Sequence, residues 1–594
     1  MKNFNLIRYI LPGVLAIWII VSIAALGGMY KLWWERERVN YLGKSIEVQR
    51  SAIFHNVGFS EVLLDANRNI NKVWPQDINY TATGDNNQLS YLKYLLLPRI
   101  PSGSTQYSVD AGGTFTSAVP SALLVKPTHF GSSIFALLGS FFILGGMTLA
   151  LTYLLERIPF SFPELFGCSL LVCMACVVLS RAFLAVATPA FYLQTFVGMF
   201  GWGWFLMRRM NGMRERSLSV VFSENFVHKN LPYLGLGKIW KMLFLIIISL
   251  SILWALLMSV IVVPDDWDAW AIWAAKAKVL ALGHGPLADV SYFGHADYPL
   301  LWPSVWAFAG WFNGGWEEMW SRGWGGIFLL LTVWEIVVIV KRLTGRADLG
   351  LLGGALFVSM PMVPLVASWS YAEAPFWLLI TACSGCLVLR GIEDNRMVAV
   401  IAALLAAAAA YTKNEGVMFA GLSGFWILLL PGRNRIRAML VYFGVFAVCY
   451  APWVIWTRYF MHFGSHATVG LHFDIQNIQR AAHRVPVAIE AISRMWSDIR
   501  QWNIVLWLGF GFALFGLRKG PWRVWLFPSL SMLLGYVVIV VFHEAEIYWQ
   551  VGTSWNRLTE HILPFLLICL ICQCAAILCP EQGRDDVLSF KNGR

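Results

Sequence analysis

Charged residues are scarce in this sequence. Asp, Glu, Lys and Arg make up 13% of its 594 residues, whereas hydrophobic residues make up 58% and the mean hydropathy is +0.60. A chain so poor in charge lies outside the range of ordinary soluble domains. A helix that crosses a bilayer core of roughly 30 Å needs about 20 mostly apolar residues, and the sequence supplies such stretches repeatedly. The composition therefore predicts an all-α, polytopic protein of the lipid bilayer.

Cysteine is scarce as well, with 10 in the chain. All of them lie in or beside apolar stretches, which disfavours a disulfide framework and a zinc site of paired cysteines. The net charge is +11, but the basic residues fall mostly in short clusters beside apolar runs, as the positive-inside bias requires. We attribute this charge to membrane topology and expect no nucleic-acid partner.

The apolar runs predict about fourteen transmembrane helices. With the N-terminus in the cytoplasm, one alternating path places every basic cluster on the cytoplasmic side, together with the C-terminus. The predicted organisation is an N-terminal membrane anchor at 1–30, a small external α/β domain at 31–130, a three-helix membrane segment at 131–207, a cytoplasmic linker at 208–240, a membrane core at 241–580 and a cytoplasmic tail at 581–594.

Three carboxylates follow the first predicted span of the core, at Asp265, Asp266 and Asp268. The tryptophans among them recur every three residues, which indicates an interfacial helix in the first external loop. A carboxylate beside aromatic and lipid surface is suited to act as a general base, and the Asp266 and Asp268 pair is a candidate site for a divalent cation. The alternative is that these acids only mark the outer end of a span and complement a helix terminus.

The other candidate substrate-binding residues also lie in predicted external positions. Arginine is suited to a phosphate near the interface because its planar fork donates paired hydrogen bonds. Two plainer interpretations stay open: Lys413 and Glu415 as a solvated ion pair, and Arg557 as a side chain that snorkels to the interface. The candidates are Asp297, Tyr298, Glu373, Lys413, Glu415 and Arg557.

The order of these residues and their side of the membrane resemble the GT-C superfamily of polytopic glycosyltransferases. The branch in question contains the dolichyl-phosphate-mannose protein mannosyltransferases and the bacterial aminoarabinose transferases. The resemblance covers about residues 238 to 580. Its elements are the Asp265-Asp266-Trp267-Asp268 loop, the Tyr298-Pro299-Leu300 turn, Glu373 near a proline, the Thr412-Lys413 turn, and Arg557 followed by Leu563-Pro564.

The resemblance implies transfer of a sugar from a polyprenyl-phosphate carrier to a hydroxyl of a glycan, lipid or protein acceptor, on the periplasmic face of a bacterial inner membrane. Asp266 or Asp268 would be the general base, and Lys413 and Arg557 would hold the donor phosphate. Both aspartates stay candidates because this sequence has Asp-Trp-Asp where many relatives have Asp-Glu. The resemblance implies no firm cofactor beyond the candidate divalent cation.

Three other functions compete with single-sugar transfer. An oligosaccharide ligase would use similar groups on a larger substrate. A flippase or transporter for a lipid-linked saccharide would share the spans, but its acids should lie near mid-bilayer in broken helices and in paired repeats. A non-catalytic assembly subunit would carry the same loop acids as structural groups. The acids here lie at external span ends and no internal repeat is evident, which favours an enzyme.

Overall fold

The architecture is that of a computed structural model in which eleven longer stretches and several short ones are described. The longer stretches are 134–155, 160–210, 238–264, 266–282, 295–390, 396–430, 434–460, 475–502, 504–516, 525–543 and 546–578. The short ones are 17–28, position 287, and a few residues between 30 and 117. Asp265 and the predicted linker and tail, apart from residues 208–210 and 238–240, lie outside the described residues.

The described part of the chain is dominated by apolar helices, as expected of an all-α membrane protein. Its helices are α1 Ile17–Gly28, α2 Ile134–Leu154, α3 Phe162–Leu184, α4 Thr188–Met210, α5 Lys238–Ile261, α6 Ala275–Leu282, α7 Leu301–Trp311, α8 Trp324–Thr344, α9 Ala347–Val358, α10 Met362–Ser368, α11 Glu373–Arg390, α12 Arg396–Ala410, α13 Glu415–Trp426, α14 Arg435–Ile455, α15 Ile475–Trp496, α16 Ile499–Trp502, α17 Val505–Gly516, α18 Leu526–Phe542, α19 Ile547–Gln550 and α20 Asn556–Leu578. Three π-helical segments, Ala269–Ala274, Trp456–Phe460 and Val551–Trp555, continue into or from these helices.

Fewer helices than expected are long enough to cross a bilayer. Among the described residues, six helices meet the length and hydropathy needed for a span, or seven if the bent pair α9 and α10 counts as one. The expected number was about fourteen. The difference arises partly because several predicted runs form apolar helices of 10–17 residues, α11, α12 and α18 among them. In these regions part of the apolar sequence lies in turns or 3-10 segments, so sequence hydropathy overestimates the helix length.

Helices α2, α3 and α4 lie in the predicted three-helix segment and pack against the helices that follow it. Helix α3 begins with a capping box in which Ser161 and Glu164 satisfy each other's backbone donors. The Ser161 hydroxyl also donates to Glu335 of α8, at 2.7 Å. At the start of α8, the indole nitrogen of Trp324 donates to the Ser140 hydroxyl of α2 at 2.9 Å. Contacts through hydrogen bonds and buried side chains thus join this segment to the core.

A small sheet lies within the predicted external domain. Strands β1 Thr81–Thr83 and β2 Tyr107–Asp110 are parallel, and β2 pairs antiparallel with β3 Phe115–Ser117. The Val109 side chain of the central strand is buried. Most of residues 31–130 lie outside the described part, so the external α/β domain stays a prediction.

A broken helix precedes the segment that carries Glu373. Helices α9 and α10 are bent by 70° at a short break between them. Beyond α10, the guanidinium of Arg322 donates to the Ser368 carbonyl at 3.1 Å and to the Ser370 hydroxyl. It also donates to the Val262 carbonyl at the end of α5. One buried arginine thereby fixes the ends of two helices beside each other.

The contact between α2 and α4 depends on glycine and gives a prediction for stability. A Cβ on Gly201 would lie 1.9 Å from the Gly146 carbonyl oxygen, so a side chain there forces the two backbones apart. We expect Gly201→Leu to destabilise the protein by about 1–3 kcal/mol or more. The matched control is Gly203→Leu on the same helix, where a Cβ meets nothing within 4 Å. Thermal unfolding in detergent should show a lowered Tm for Gly201→Leu only, and equal Tm values for the two variants would contradict this packing.

Candidate functional site

Five candidate residues from four separate parts of the chain form one alternating series of charges. Arg557 donates to a carboxylate oxygen of Asp268, and its Nη1 lies 3.7 Å from Oε1 of Glu373. The same Oε1 is 2.9 Å from Nζ of Lys413, which lies 3.2 Å from Oε1 of Glu415. We call Asp268, Arg557, Glu373, Lys413 and Glu415 the ion-pair chain. It has three carboxylates and two cations, so one negative charge is in excess when all are ionised.

The ion-pair chain is buried at its centre and partly exposed at both ends, Asp268 and Glu415. The Glu373 side chain is 1% exposed and that of Lys413 is 5% exposed, whereas Arg557 and Asp268 are about one-fifth exposed. Burial lowers the pKa of Lys413, but Glu373 and Glu415 outweigh it and the net pKa lies above the usual value. Lys413 is therefore held as a cation at neutral pH. Breaking a buried pair by removing one partner is costly, so these charges depend on one another.

The second aspartate of the loop, Asp266, has a different environment. The Tyr371 hydroxyl donates to Oδ1 of Asp266, and the Arg557 guanidinium lies 5.0 Å from the centre of the Tyr371 ring. Burial, reinforced by the charges of Asp266 and Asp268, raises the pKa of Tyr371 well above its usual value. Tyr371 is thus a permanent neutral donor. Asp266 is linked to the ion-pair chain through the Tyr371 ring, whereas Asp268 is itself a member of the chain.

Aromatic rings and a buried lysine lie across a small cavity from the ion-pair chain. We call them the aromatic wall. The Tyr298 ring stacks on His295 at 4.6 Å and on Trp273 at 5.5 Å between centroids. Nζ of Lys276 donates to the Tyr298 carbonyl at 3.0 Å and to that of His295. This wall is tied to the Lys413 turn because Asn414 donates to Asp297 at 2.8 Å.

A cavity of about 50 Å³ lies between the ion-pair chain and this wall. It is small because the side chains that line it are already in contact with one another. A ligand of any size must displace one of these contacts. The lining includes Trp273, Tyr298, Lys413, Glu415, Ser554 and Arg557.

Two π-helical segments flank the Asp268 and Arg557 pair. Ala269–Ala274 begins directly after Asp268, and Val551–Trp555 ends two residues before Arg557. The Arg557 guanidinium also donates to the carbonyl of Thr553 within the second segment, at 3.2 Å. Single π-helical turns inside α-helices are frequent at functional sites. Here Trp273 of the first segment and Ser554 of the second line the cavity, together with Arg557.

The structure brings together nearly all of the sequence-predicted site residues. Asp266, Asp268, Asp297, Tyr298, Glu373, Lys413, Glu415 and Arg557 all belong to this cluster, and Asp265 lies outside the described residues. The plainer interpretations do not fit: Lys413 is buried, and Arg557 is directed at carboxylates within the protein.

Four members of the site are not among the candidate residues of the sequence analysis. Tyr371 lies two residues before Glu373, and Lys276 interrupts an apolar run, so each had a weak signal. Glu560 and His561 are fully buried beneath Arg557, one helical turn further along α20. Neither carboxylate oxygen of Glu560 has a hydrogen-bond partner among the described residues, and Nδ1 of His561 lies 2.8 Å from the Tyr536 hydroxyl. Their helical spacing from Arg557 near the outer end of this span was the available signal in the sequence.

The candidate divalent cation finds little support. Asp268 binds Arg557, and Asp266 accepts from Tyr371, so the expected pair of ligands is already engaged. The described residues contain no group of three or more His, Cys, Asp or Glu side chains arranged to hold a metal ion. The positive charge at this site is supplied by Arg557 and Lys413.

No protein family, no curated protein and no solved structure matches the chain. The geometry of the cluster is therefore the basis for a functional proposal, and the resemblance to GT-C glycosyltransferases stays a prediction.

Lys276 gives a prediction for the pH dependence of stability. Burial lowers its pKa from 10.5 to about 7, against the opposing effect of Asp297. Between these values the unfolded chain binds more protons than the folded protein, so the stability contributed by this group rises with pH. We expect Tm of the wild type minus Tm of Lys276→Met to increase from about pH 6 to about pH 9.

The control is Leu280→Met on the same helix as Lys276, a buried side chain that does not titrate. The corresponding difference in Tm should stay flat across the same range. A flat profile for Lys276→Met would show that its ammonium is not destabilised by burial.

Proposed function

We propose that this chain is an integral-membrane glycosyltransferase that moves a sugar from a polyprenyl-phosphate carrier to an acceptor hydroxyl on the external face of the membrane. The observation that carries the proposal is the direct contact of Asp268 with Arg557 at one partly exposed end of the ion-pair chain. It places a group able to accept a proton beside a group able to bind a phosphate, at the ends of apolar helices.

The resting contact implies the first step. Arg557 is already paired, so the donor phosphate must take the place of the Asp268 carboxylate on the guanidinium fork. Asp268 is then released to accept a proton from the acceptor hydroxyl. The base that the acceptor needs thus becomes available only when the donor phosphate is bound to Arg557. This order limits hydrolysis of a donor that is not fully bound.

The charge balance of the reaction fits the ion-pair chain. The acceptor oxygen forms a bond to the anomeric carbon while the bond from that carbon to the phosphate oxygen breaks. The bonding electrons leave with the phosphate, and the acceptor proton moves to Asp268. The aspartate becomes neutral as the phosphate gains negative charge. The ion-pair chain therefore loses its excess negative charge at the step in which Arg557 and Lys413 stabilise the leaving group.

Supporting residues hold this arrangement in place. Tyr371 orients Asp266, which stays a second candidate for the base. Glu373 accepts from Lys413 and also faces Arg557, so it keeps the two cations at one site despite their repulsion. The stacked rings of Tyr298 and Trp273 offer an apolar face on which a sugar ring or the first isoprene unit can pack.

The remaining parts of the proposal concern location and architecture. We place the protein in a bacterial inner membrane with both termini in the cytoplasm, a core similar to that of GT-C enzymes, more spans than the helices that meet the length criterion, and an external α/β domain at 31–130. An oligosaccharide ligase fits the same site with a larger donor.

A lipid-linked saccharide flippase is the second candidate, and the broken helix of α9 and α10 favours it. Discontinuous helices are characteristic of transporters, where their ends contact the substrate. In this protein the break at Ser359 is buried and its hydroxyl accepts from Trp18, at 3.3 Å, whereas the charged residues gather at Glu373, beyond the second half-helix. A flippase would move the donor across vesicles without breaking the bond from sugar to phosphate.

The test uses purified protein in lipid nanodiscs with radiolabelled polyprenyl-phosphate sugars and membranes as the acceptor source. We expect Asp268→Asn to reduce transfer roughly 100-fold or more, as for loss of a general base. Arg557→Ala should also raise the KM for the donor, because it removes the phosphate contact. Asp266→Asn distinguishes the two aspartates by the size of its effect.

The matched control is Asp348→Asn, which removes a carboxylate paired with Arg346 at 2.6 Å outside this cluster. It should leave transfer unchanged. Full transfer by Asp266→Asn, Asp268→Asn and Arg557→Ala would remove the site assignment, and movement of intact donor without transfer would favour the flippase.

A further inference from the structure

A second, wider groove lies on the other side of the Val551–Trp555 segment. Its volume is about 270 Å³, and it is open to the surroundings. Helices α15 and α16 form one wall, and α19 with the start of the π-helical segment forms the other. We call it the outer groove. Both walls fall in segments that the topology places on the external side.

The side chains of the outer groove suit a neutral, hydroxyl-rich ligand. Tyr548 presents a half-exposed ring, and Asp498, Gln501 and Arg494 present a carboxylate, an amide and a guanidinium. Planar polar groups of this kind form paired hydrogen bonds, and the face of an aromatic ring packs against apolar C–H surface. A sugar ring offers both surfaces, hydroxyls at its edge and C–H groups on its face.

The charges of the outer groove do not select an anion. Arg494 forms an ion pair with Glu490, and the Tyr548 hydroxyl donates to that same carboxylate at 3.3 Å. Asp498 accepts from the amide of Gln501 at 2.9 Å and from the backbone of Arg500 at 3.0 Å. The charge of Arg494 is balanced by Glu490, and Asp498 adds a negative charge, so these side chains do not favour a phosphate in the groove.

The outer groove and the catalytic cavity share one thin wall. Val551 and Gly552 line the groove, and Ser554 of the same segment lines the cavity. Across the end of the wall, Asn556 donates to Gln501 at 2.7 Å. Asn556 directly precedes Arg557, so a ligand held in the groove lies next to the residue that binds the donor phosphate.

We propose that the outer groove binds the saccharide part of the acceptor and directs one of its hydroxyls over the Val551–Trp555 segment toward Asp268. This inference rests on the proposed glycosyl transfer and specifies its second substrate as a carbohydrate. The donor enters between helices from the bilayer, and the acceptor lies on the external surface, so the two substrates approach from opposite sides of one π-helical wall.

Gly552 allows a direct test, because it is exposed and a Cβ there meets nothing within 4 Å. Gly552→Leu fills the groove without a clash. The control is Gly444→Leu on α14, which is also exposed and open and lies far along the chain from the site. Tyr548→Ala is a second variant on the same wall, and it removes the aromatic ring.

The assay supplies a radiolabelled polyprenyl-phosphate sugar and membranes from cells that lack this chain as the acceptor probe. It measures the ratio of sugar transferred to membrane glycan over sugar released to water. We expect this ratio to fall roughly tenfold or more in Gly552→Leu and Tyr548→Ala, since acceptor binding is lost while water still reaches the cavity. Gly444→Leu should keep the wild-type ratio.

The possible failures are distinguishable. If both folded variants keep a ratio within about twofold of the wild type, the outer groove does not bind the acceptor, even though glycosyl transfer stands. If the label appears only on membrane protein free of glycan, the carbohydrate assignment is wrong. If the wild type neither transfers nor releases sugar from any donor, the proposed function itself fails.

Discussion

The organisation of this protein depends on keeping ionised groups together at the end of an apolar helix bundle. Two cations and three carboxylates meet where water is largely excluded, and none of them is tolerable there alone. In the ion-pair chain, positive and negative groups alternate, so that Glu373 lies between Lys413 and Arg557 and interacts with both. The surrounding helices are joined by the same requirement, since the partners come from helix termini far apart in sequence. A site assembled in this way is coupled to the fold, and its charges also hold the helix ends in register.

The membrane class of the protein and the membership of the site could be read from the sequence. The distribution of basic clusters assigned one side to every external turn, and this was enough to group Asp268, Glu373, Lys413 and Arg557 before any distance was known. The pairing within the group could not be read, because which carboxylate binds Arg557 depends on how the helix ends are positioned in space. Tyr371 and Lys276 were missed for the related reason that a buried tyrosine or lysine resembles an interfacial one in a list of residues.

The number of spans was the least predictable feature. Hydropathy recognises apolar composition, but it does not show where a helix stops. Between α12 and α13 the apolar run is interrupted by the turn that carries Lys413, and between α9 and α10 the helix breaks at Ser359 without leaving the apolar environment. Both interruptions bring backbone or charge to places where a continuous helix would present only side chains to lipid or to its neighbours. Functional constraints on the site therefore reduce the agreement between hydropathy and helix length.

The pairing of Arg557 has a consequence for competition from the membrane itself. Phospholipid head groups carry phosphates and surround any site at the interface in great excess. A free arginine fork at this depth would be occupied by them almost continuously. Because Asp268 already holds the fork, and because the ion-pair chain has an excess negative charge, an ordinary lipid phosphate meets repulsion as well as an occupied partner. In the proposed transferase, discrimination between a rare carrier lipid and the bulk bilayer thus begins with an internal carboxylate that acts as a competing ligand.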